Sequence, residues 1–184
     1  MRKLRINQPL LVALSVLLLA VVLGAAEKET SHLRARLVGI EETPATIITN
    51  GTGTFSATVN DDSSITYTLS YKNLSTPATF AHIHVGATKT TGGVAIFLCG
   101  GGGAPLCPDS ATHSGTVSRT VTAADVFGPA AQGVAAGDMA DVVRAIASGV
   151  AYANVHTTAH ASGEIRGQIR QREDDEDDEL PGAR

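Results

Sequence analysis

The stretch Ala81-His82-Ile83-His84-Val85-Gly86 decides how the rest of the chain is read. Successive side chains of an extended strand point to opposite faces. Ala81, Ile83 and Val85 then share an apolar face, and His82 and His84 share the other. A second stretch, Ala151-Tyr152-Ala153-Asn154-Val155-His156, repeats the design: Tyr152, Asn154 and His156 alternate with small apolar residues. Two such strands lying side by side would bring three imidazoles together on one sheet face.

Period two persists outward from these stretches. Leu33, Ala35 and Leu37 alternate with Arg34 and Arg36, and Phe55, Ala57 and Val59 with Ser56 and Thr58. After Asn60-Asp61-Asp62-Ser63, which reads as a turn, Ile65, Tyr67, Leu69 and Tyr71 alternate with Thr66, Thr68 and Ser70. Such patterns, separated by turn residues, describe half-buried antiparallel strands. Residues 94–99 are apolar on both faces and predict a central strand, and residues 116–121 predict another. In the last strand Ile165, Gly167 and Ile169 face inward while Glu164, Arg166 and Gln168 face outward. Residues 157–163 supply the turn that makes it a hairpin with the Asn154 strand.

Helical signals are confined. Thr122-Ala123-Ala124-Asp125 reads as a capped turn stopped by Gly128-Pro129. Residues 138–148 predict a true helix, with Asp138 as cap, Asp141 in the first turn and Gly149 as stop. Met139, Val142, Val143 and Ile146 recur there at helical spacing and are expected to face the sheet. No regular strand–helix alternation appears. The expected fold is all-β, an antiparallel β-sandwich of eight or nine strands with one or two short helices, immunoglobulin-like or copper–zinc superoxide dismutase-like.

The chain ends set the compartment. Arg2, Lys3 and Arg5 precede an apolar run over residues 10–23, and Gly24-Ala25-Ala26 supplies small residues. That is the layout of a secretory signal peptide over 1–26, cleaved after Ala26. The run is shorter than the roughly 20 residues a spanning helix needs, so membrane contact is expected only if this segment stays uncleaved. The sandwich domain is expected over 27–170 and an acidic tail over 171–184, in a secreted or periplasmic protein. The net charge of −4 includes the basic head; without it 11 basic residues face 18 acidic ones. Seven of the acids fall in residues 173–179, a run that repels itself and predicts disorder. The remainder is nearly neutral, which speaks against nucleic acid as a partner. Cys99 and Cys107 are the two cysteines, and in an exported chain they predict a disulfide across the glycine-rich loop between them. Asn50-Gly51-Thr52 and Asn73-Leu74-Ser75 are glycosylation sequons in a host that glycosylates.

For the histidines two readings stand. Residues i and i+2 on a strand face are about 6.5–7 Å apart, so His82 and His84 can converge on one ion with His156 as a third ligand. Nitrogen-only ligation suits copper or zinc. Alternatively, His82 and His84 hydrogen-bond to Asn154, Glu164 or backbone groups on a polar sheet face that also carries Arg166 and Gln168. There is no G-x-S-x-G nucleophile elbow. The glycines at 100–103 lack the Lys-Ser/Thr of a phosphate loop. The residues therefore carry no catalytic assignment, and the protein is not expected to be an enzyme.

Taken together, Ala81-His82-Ile83-His84-Val85-Gly86, the strand at 94–99, Thr122-Ala123-Ala124-Asp125-Val126, Tyr152-Ala153-Asn154-Val155-His156-Thr157 and Gly163-Glu164-Ile165-Arg166-Gly167-Gln168-Ile169 resemble the CHRD domain. The resemblance runs from about Leu33 to Ile169. It implies an all-β extracellular module and no reaction. The growth-factor binding of chordin is not implied, because the cysteine-rich modules of chordin are missing. The His-x-His pair is also similar to that of copper–zinc superoxide dismutases, but only His32, His113 and His160 remain as further histidines and no zinc loop with an Asp ligand follows. The expected function is a non-enzymatic extracytoplasmic binding or structural module that meets an extracellular protein or matrix component. The alternative is a copper or zinc binding protein using His82, His84 and His156, and a dismutase-like redox enzyme is a third reading.

Overall fold

A computed structural model of the chain describes residues 32–172. The signal segment at 1–26 and the acid run at 173–179 lie outside the described residues. Nine strands follow in chain order: β1 (His32–Val38), β2 (Thr52–Val59), β3 (Ile65–Lys72), β4 (Ala78–Val85), β5 (Gly93–Cys99), β6 (Gly115–Val121), β7 (Ala151–Thr157), β8 (Ile165–Gln168) and β9 (Arg170–Gln171). One helix, α1 (Met139–Ala147), and three short 3-10 turns complete them. The pairing order is β5-β4-β7-β8-β1-β2-β3-β6, with β9 beside β1, and every pair is antiparallel.

The expected all-β antiparallel fold is present, as one sheet curled until it is nearly closed like a barrel. The end strands approach each other where Ile96 of β5 bridges to Val126, just beyond β6. The alternating apolar residues line the interior: Leu33 and Leu37, Phe55 stacked on Tyr67 with ring centroids 6.0 Å apart, Leu69, Ile83, Ile165 and Ile169 are all buried. Tyr67 keeps its hydroxyl satisfied inside by donating to the Leu98 carbonyl at 2.6 Å, as a buried phenol must. α1 begins where Asp138 accepts from the Asp141 N–H at 3.0 Å and ends at Gly149 in the left-handed region, φ 68°. Its buried residues are Met139, Val142, Ala145 and Ile146; Val143, expected on that stripe, is only partly covered.

Two expectations change. Residues 94–99 form β5, an end strand in the pairing order and not a central one. Their apolar character on both faces comes from cover laid over the strand: Phe97 meets Phe127 at 5.1 Å, and the glycine loop after Cys99 passes over both rings. An apolar run reports burial, whichever element supplies it. The second change concerns the face of β4 that carries the histidines. Parity holds, but the face is buried, because the loops at 86–92 and 157–163 fold over it.

Candidate metal centre

β4 and β7 are hydrogen-bonded neighbours, with His82 opposite Asn154 and His84 opposite Tyr152. His156 lies opposite Phe80, so it meets His82 along the diagonal of the ladder. His82 Nδ1 and His156 Nε2 are 3.1 Å apart. Ring centroids are separated by 5.2 Å for His82–His84, 4.9 Å for His82–His156 and 6.0 Å for His84–His156. One nitrogen from each ring lies within 4.8 Å of the other two. Two nitrogens on one zinc at about 2.0–2.1 Å, at tetrahedral angles, are about 3.3 Å apart, so little movement closes the set around an ion.

Backbone carbonyls decide which nitrogens are free. His84 Nδ1 is 2.9 Å from the Gly92 carbonyl, and His156 Nδ1 is 3.0 Å from the Ala161 carbonyl. A carbonyl only accepts, so both Nδ1 atoms carry the proton and both Nε2 atoms keep a lone pair. With His156 Nε2 an acceptor, His82 Nδ1 donates to it, which leaves a lone pair on His82 Nε2. The Nε2 atoms of His82 and His84 are buried and, among the described residues, have no hydrogen-bond partner. Residue exposure is only 7% for His82, 8% for His84 and 8% for His156.

That burial disfavours the charged imidazolium. It pushes His82 down to about 3, helped by the neighbouring His156 and His84. His84 falls to about 4 by burial, against the raising effect of the Gly92 carbonyl and with smaller lowering from His156 and Arg166. His156 is lowered by burial, partly offset by its bond to Ala161. All three are therefore neutral donors at neutral pH, the form in which histidine ligates metals. Aromatic rings wall the cluster. Phe97 stands edge-on to His82 at 4.5 Å, Phe80 stacks at 5.9 Å, and Tyr152 lies parallel to His84 at 4.8 Å. The Arg166 guanidinium lies over the Tyr152 ring, 3.5 Å from its centroid.

The other polar residues expected on this face divide. Asn154 and Arg166 sit beside the cluster, opposite one another on β7 and β8. Asn154 turns its amide to Glu42 Oε1 at 2.5 Å and the Ile165 carbonyl at 3.0 Å, and does not bond the histidines. Glu164 lies apart from them. Its carboxylate accepts from the hydroxyls of Thr49, Ser75 and Thr157 at 2.7–2.8 Å and from the Ser75 N–H at 2.8 Å. Those donors hold it below its usual range although burial raises it. Glu164 precedes β8, so strand parity does not govern where it points. Cys99 and Cys107 are joined, with Cα atoms 4.9 Å apart.

Four participants were not legible in the sequence: the Gly92 and Ala161 carbonyls, the Phe97 wall and Glu42. Glu42 is buried next to Asn154, and burial pushes it up to about 7 despite the lowering effects of Asn154 and Arg166. The paired Gly92-Gly93 hints at a close backbone approach. A Cβ on Gly92 would fall 1.7 Å from the Val85 carbonyl oxygen. Glu42 follows a short 3-10 turn and carries no periodic signal.

Comparison with known proteins places the chain. The family model described as the CHRD domain matches residues 33–169. No curated protein and no solved structure matches it. The match spans all the strands that build the histidine cluster and most of the chain, and the chain belongs to the CHRD domain family.

Proposed function

We propose that this protein is a non-enzymatic, extracytoplasmic CHRD module that holds a transition-metal ion on His82, His84 and His156. The observation that carries the reading is the pair of buried Nε2 lone pairs on His82 and His84 that nothing among the described residues satisfies. Each unmatched buried polar atom costs about 1–3 kcal/mol, and two in one cluster of three convergent imidazoles is a cost that a bound ion removes. A purely hydrogen-bonded network accounts for the Nδ1 atoms and leaves these two unexplained. The Gly92 and Ala161 carbonyls act as outer partners that fix the tautomer of a ligating histidine.

Holding, as opposed to turnover, is supported by the surroundings. Among the described residues no Asp or Glu joins the three imidazoles as a ligand, which suits holding an ion. An extracytoplasmic setting is supported by the family and by the Cys99–Cys107 disulfide. Among the described residues no helix is long and apolar enough to cross a membrane.

The test is metal stoichiometry. The purified exported chain is stripped with chelator and titrated with zinc and, without oxygen, with cuprous copper. One ion per chain is expected. His82→Ala, His84→Ala and His156→Ala are each expected to weaken binding by more than the roughly 10–100-fold typical of losing an outer partner. Binding at wild-type strength in all three variants sinks the assignment.

A further inference from the structure

The charge around the three histidines narrows what they hold. We infer that the site selects a monovalent soft cation, cuprous copper, over a divalent one such as zinc, and that Arg166 sets this preference through Tyr152. The inference rests on the metal-binding reading above and adds the charge of the guest and the residue that discriminates it.

Three features of the structure support it. The donors are three neutral imidazoles, and among the described residues no fourth His, Cys, Asp or Glu joins the cluster. Cuprous copper is satisfied by three nitrogens, whereas zinc in a three-ligand site keeps a fourth position for water. The cluster is also buried and walled by the rings of Phe97, Phe80 and Tyr152. The cost of moving an ion out of water grows steeply with its charge, and among the described residues no carboxylate joins the ligand cluster.

The third feature is decisive for the role of Arg166. The charged group seated on Tyr152, the ring that lies parallel to His84, is a cation, Arg166. Its guanidinium carbon lies 3.5 Å from the Tyr152 ring centroid, and the parallel Tyr152 and His84 rings are 4.8 Å apart centroid to centroid. Arg166 is only 2% exposed and is tied to the Ala87 carbonyl at 3.2 Å, so its charge cannot swing away into solvent. Two acids stand nearby, but Glu42 bonds the Asn154 amide and Glu164 bonds Thr49, Ser75 and Thr157, and among the described residues neither forms an ion pair with Arg166. A repulsion that acts on each unit of guest charge penalises a dication twice as much as a monocation. At an effective dielectric of about 20, a full charge two ring layers away is worth roughly tenfold in affinity per unit of guest charge.

The experiment measures two dissociation constants on the exported chain. Cuprous copper is competed against bicinchoninate under anaerobic conditions, and zinc against a chelating dye. Wild type is expected to prefer cuprous copper. Arg166→Gln is expected to narrow the copper-to-zinc ratio by about tenfold, chiefly by tightening zinc. Arg166→Lys, which keeps the charge and loses the planar stack, is expected to retain the wild-type ratio within a few-fold. X-ray absorption of the cuprous protein is expected to show three nitrogen neighbours. Zinc bound as tightly as copper by wild type, or a ratio unmoved in a folded Arg166→Gln, overturns the inference and leaves metal binding standing. Failure of wild type to bind either ion overturns both. Should Arg166→Gln not fold, the wild-type ratio and coordination number still decide.

Discussion

At His84 the local chemistry is set by one carbonyl. Gly92 accepts the Nδ1 proton and so aims the Nε2 lone pair inward, next to His82 and His156. Strand parity put the three imidazoles on one face, but tautomer and burial depend on a loop with no periodic signal. Glu42 shows the opposite sign. Burial pushes it up to about 7 from an ordinary 4.5, so the folded state binds its proton more tightly than the unfolded state does. Its favourable contribution is complete below pH 4.5 and is lost as pH rises toward 7. Glu42→Gln keeps an acceptor for the Asn154 amide and removes that loss. The variant is expected to be more stable than wild type at pH 8 by about 2 kcal/mol and close to it at pH 4.5. Denaturant melts at the two pH values measure this, and equal differences at both would refute the account of Glu42.

Among the elements, the β4–β5 hairpin has the tightest tolerance. A methyl group on Gly92 would lie 1.7 Å from the Val85 carbonyl oxygen, so the backbone must part to admit it. Gly92→Ala is expected to cost about 3 kcal/mol and, because the Gly92 carbonyl orients His84, to weaken metal binding by roughly 10–100-fold. Thermal melts read the first effect and competition titration the second; intact affinity in a folded variant would show that the carbonyl does not orient the ligand. α1 offers a milder case. Asp138 caps it through the Asp141 N–H, and Asp138→Ala is expected to cost about 1 kcal/mol, visible as a lowered melting temperature with unchanged metal binding. The cap, stop and apolar stripe of this helix were legible because they are local. The place of β5 at the end of the pairing order was not, since strand order depends on which distant segments supply cover.

For the molecule as a whole, the histidines govern acid behaviour. His82 and His84, at about 3 and 4 against an ordinary 6.5, bind protons more weakly when folded than when unfolded. The metal-free protein therefore holds this stability above pH 6.5 and loses it as pH falls toward 4, at up to about 1.4 kcal/mol per pH unit for each histidine. Glu42 offsets part of the slope below pH 7. Urea melts of wild type between pH 7 and 4 are expected to show this loss, and His82→Ala to flatten it; parallel slopes would refute the assignment. The disulfide acts on the unfolded chain. Closing a loop with a sequence separation of 8 is worth about 2.5 kcal/mol in the chain-entropy model. Joint replacement of Cys99 and Cys107 by Ser is expected to lower stability by about that amount in denaturant melts.

By itself the sequence determined what is local or periodic: the alternation that makes the strands, the ends of α1, the cysteine pair, and the parity that set His82 and His84 opposite Ala81, Ile83 and Val85. The CHRD motifs, spread in order along the chain, were legible for the same reason. Only the tertiary structure decided that the sheet curls until it is nearly closed, because closure depends on how strands far apart in the chain pair. It also decided that the histidine face is buried, since parity says which side a residue takes and nothing of what covers that side. The separation of Glu164 from the histidines, the stack of Arg166 on Tyr152 and the two carbonyls that set the free lone pairs belong to tertiary structure too. Each joins segments whose spacing no pattern along the chain records.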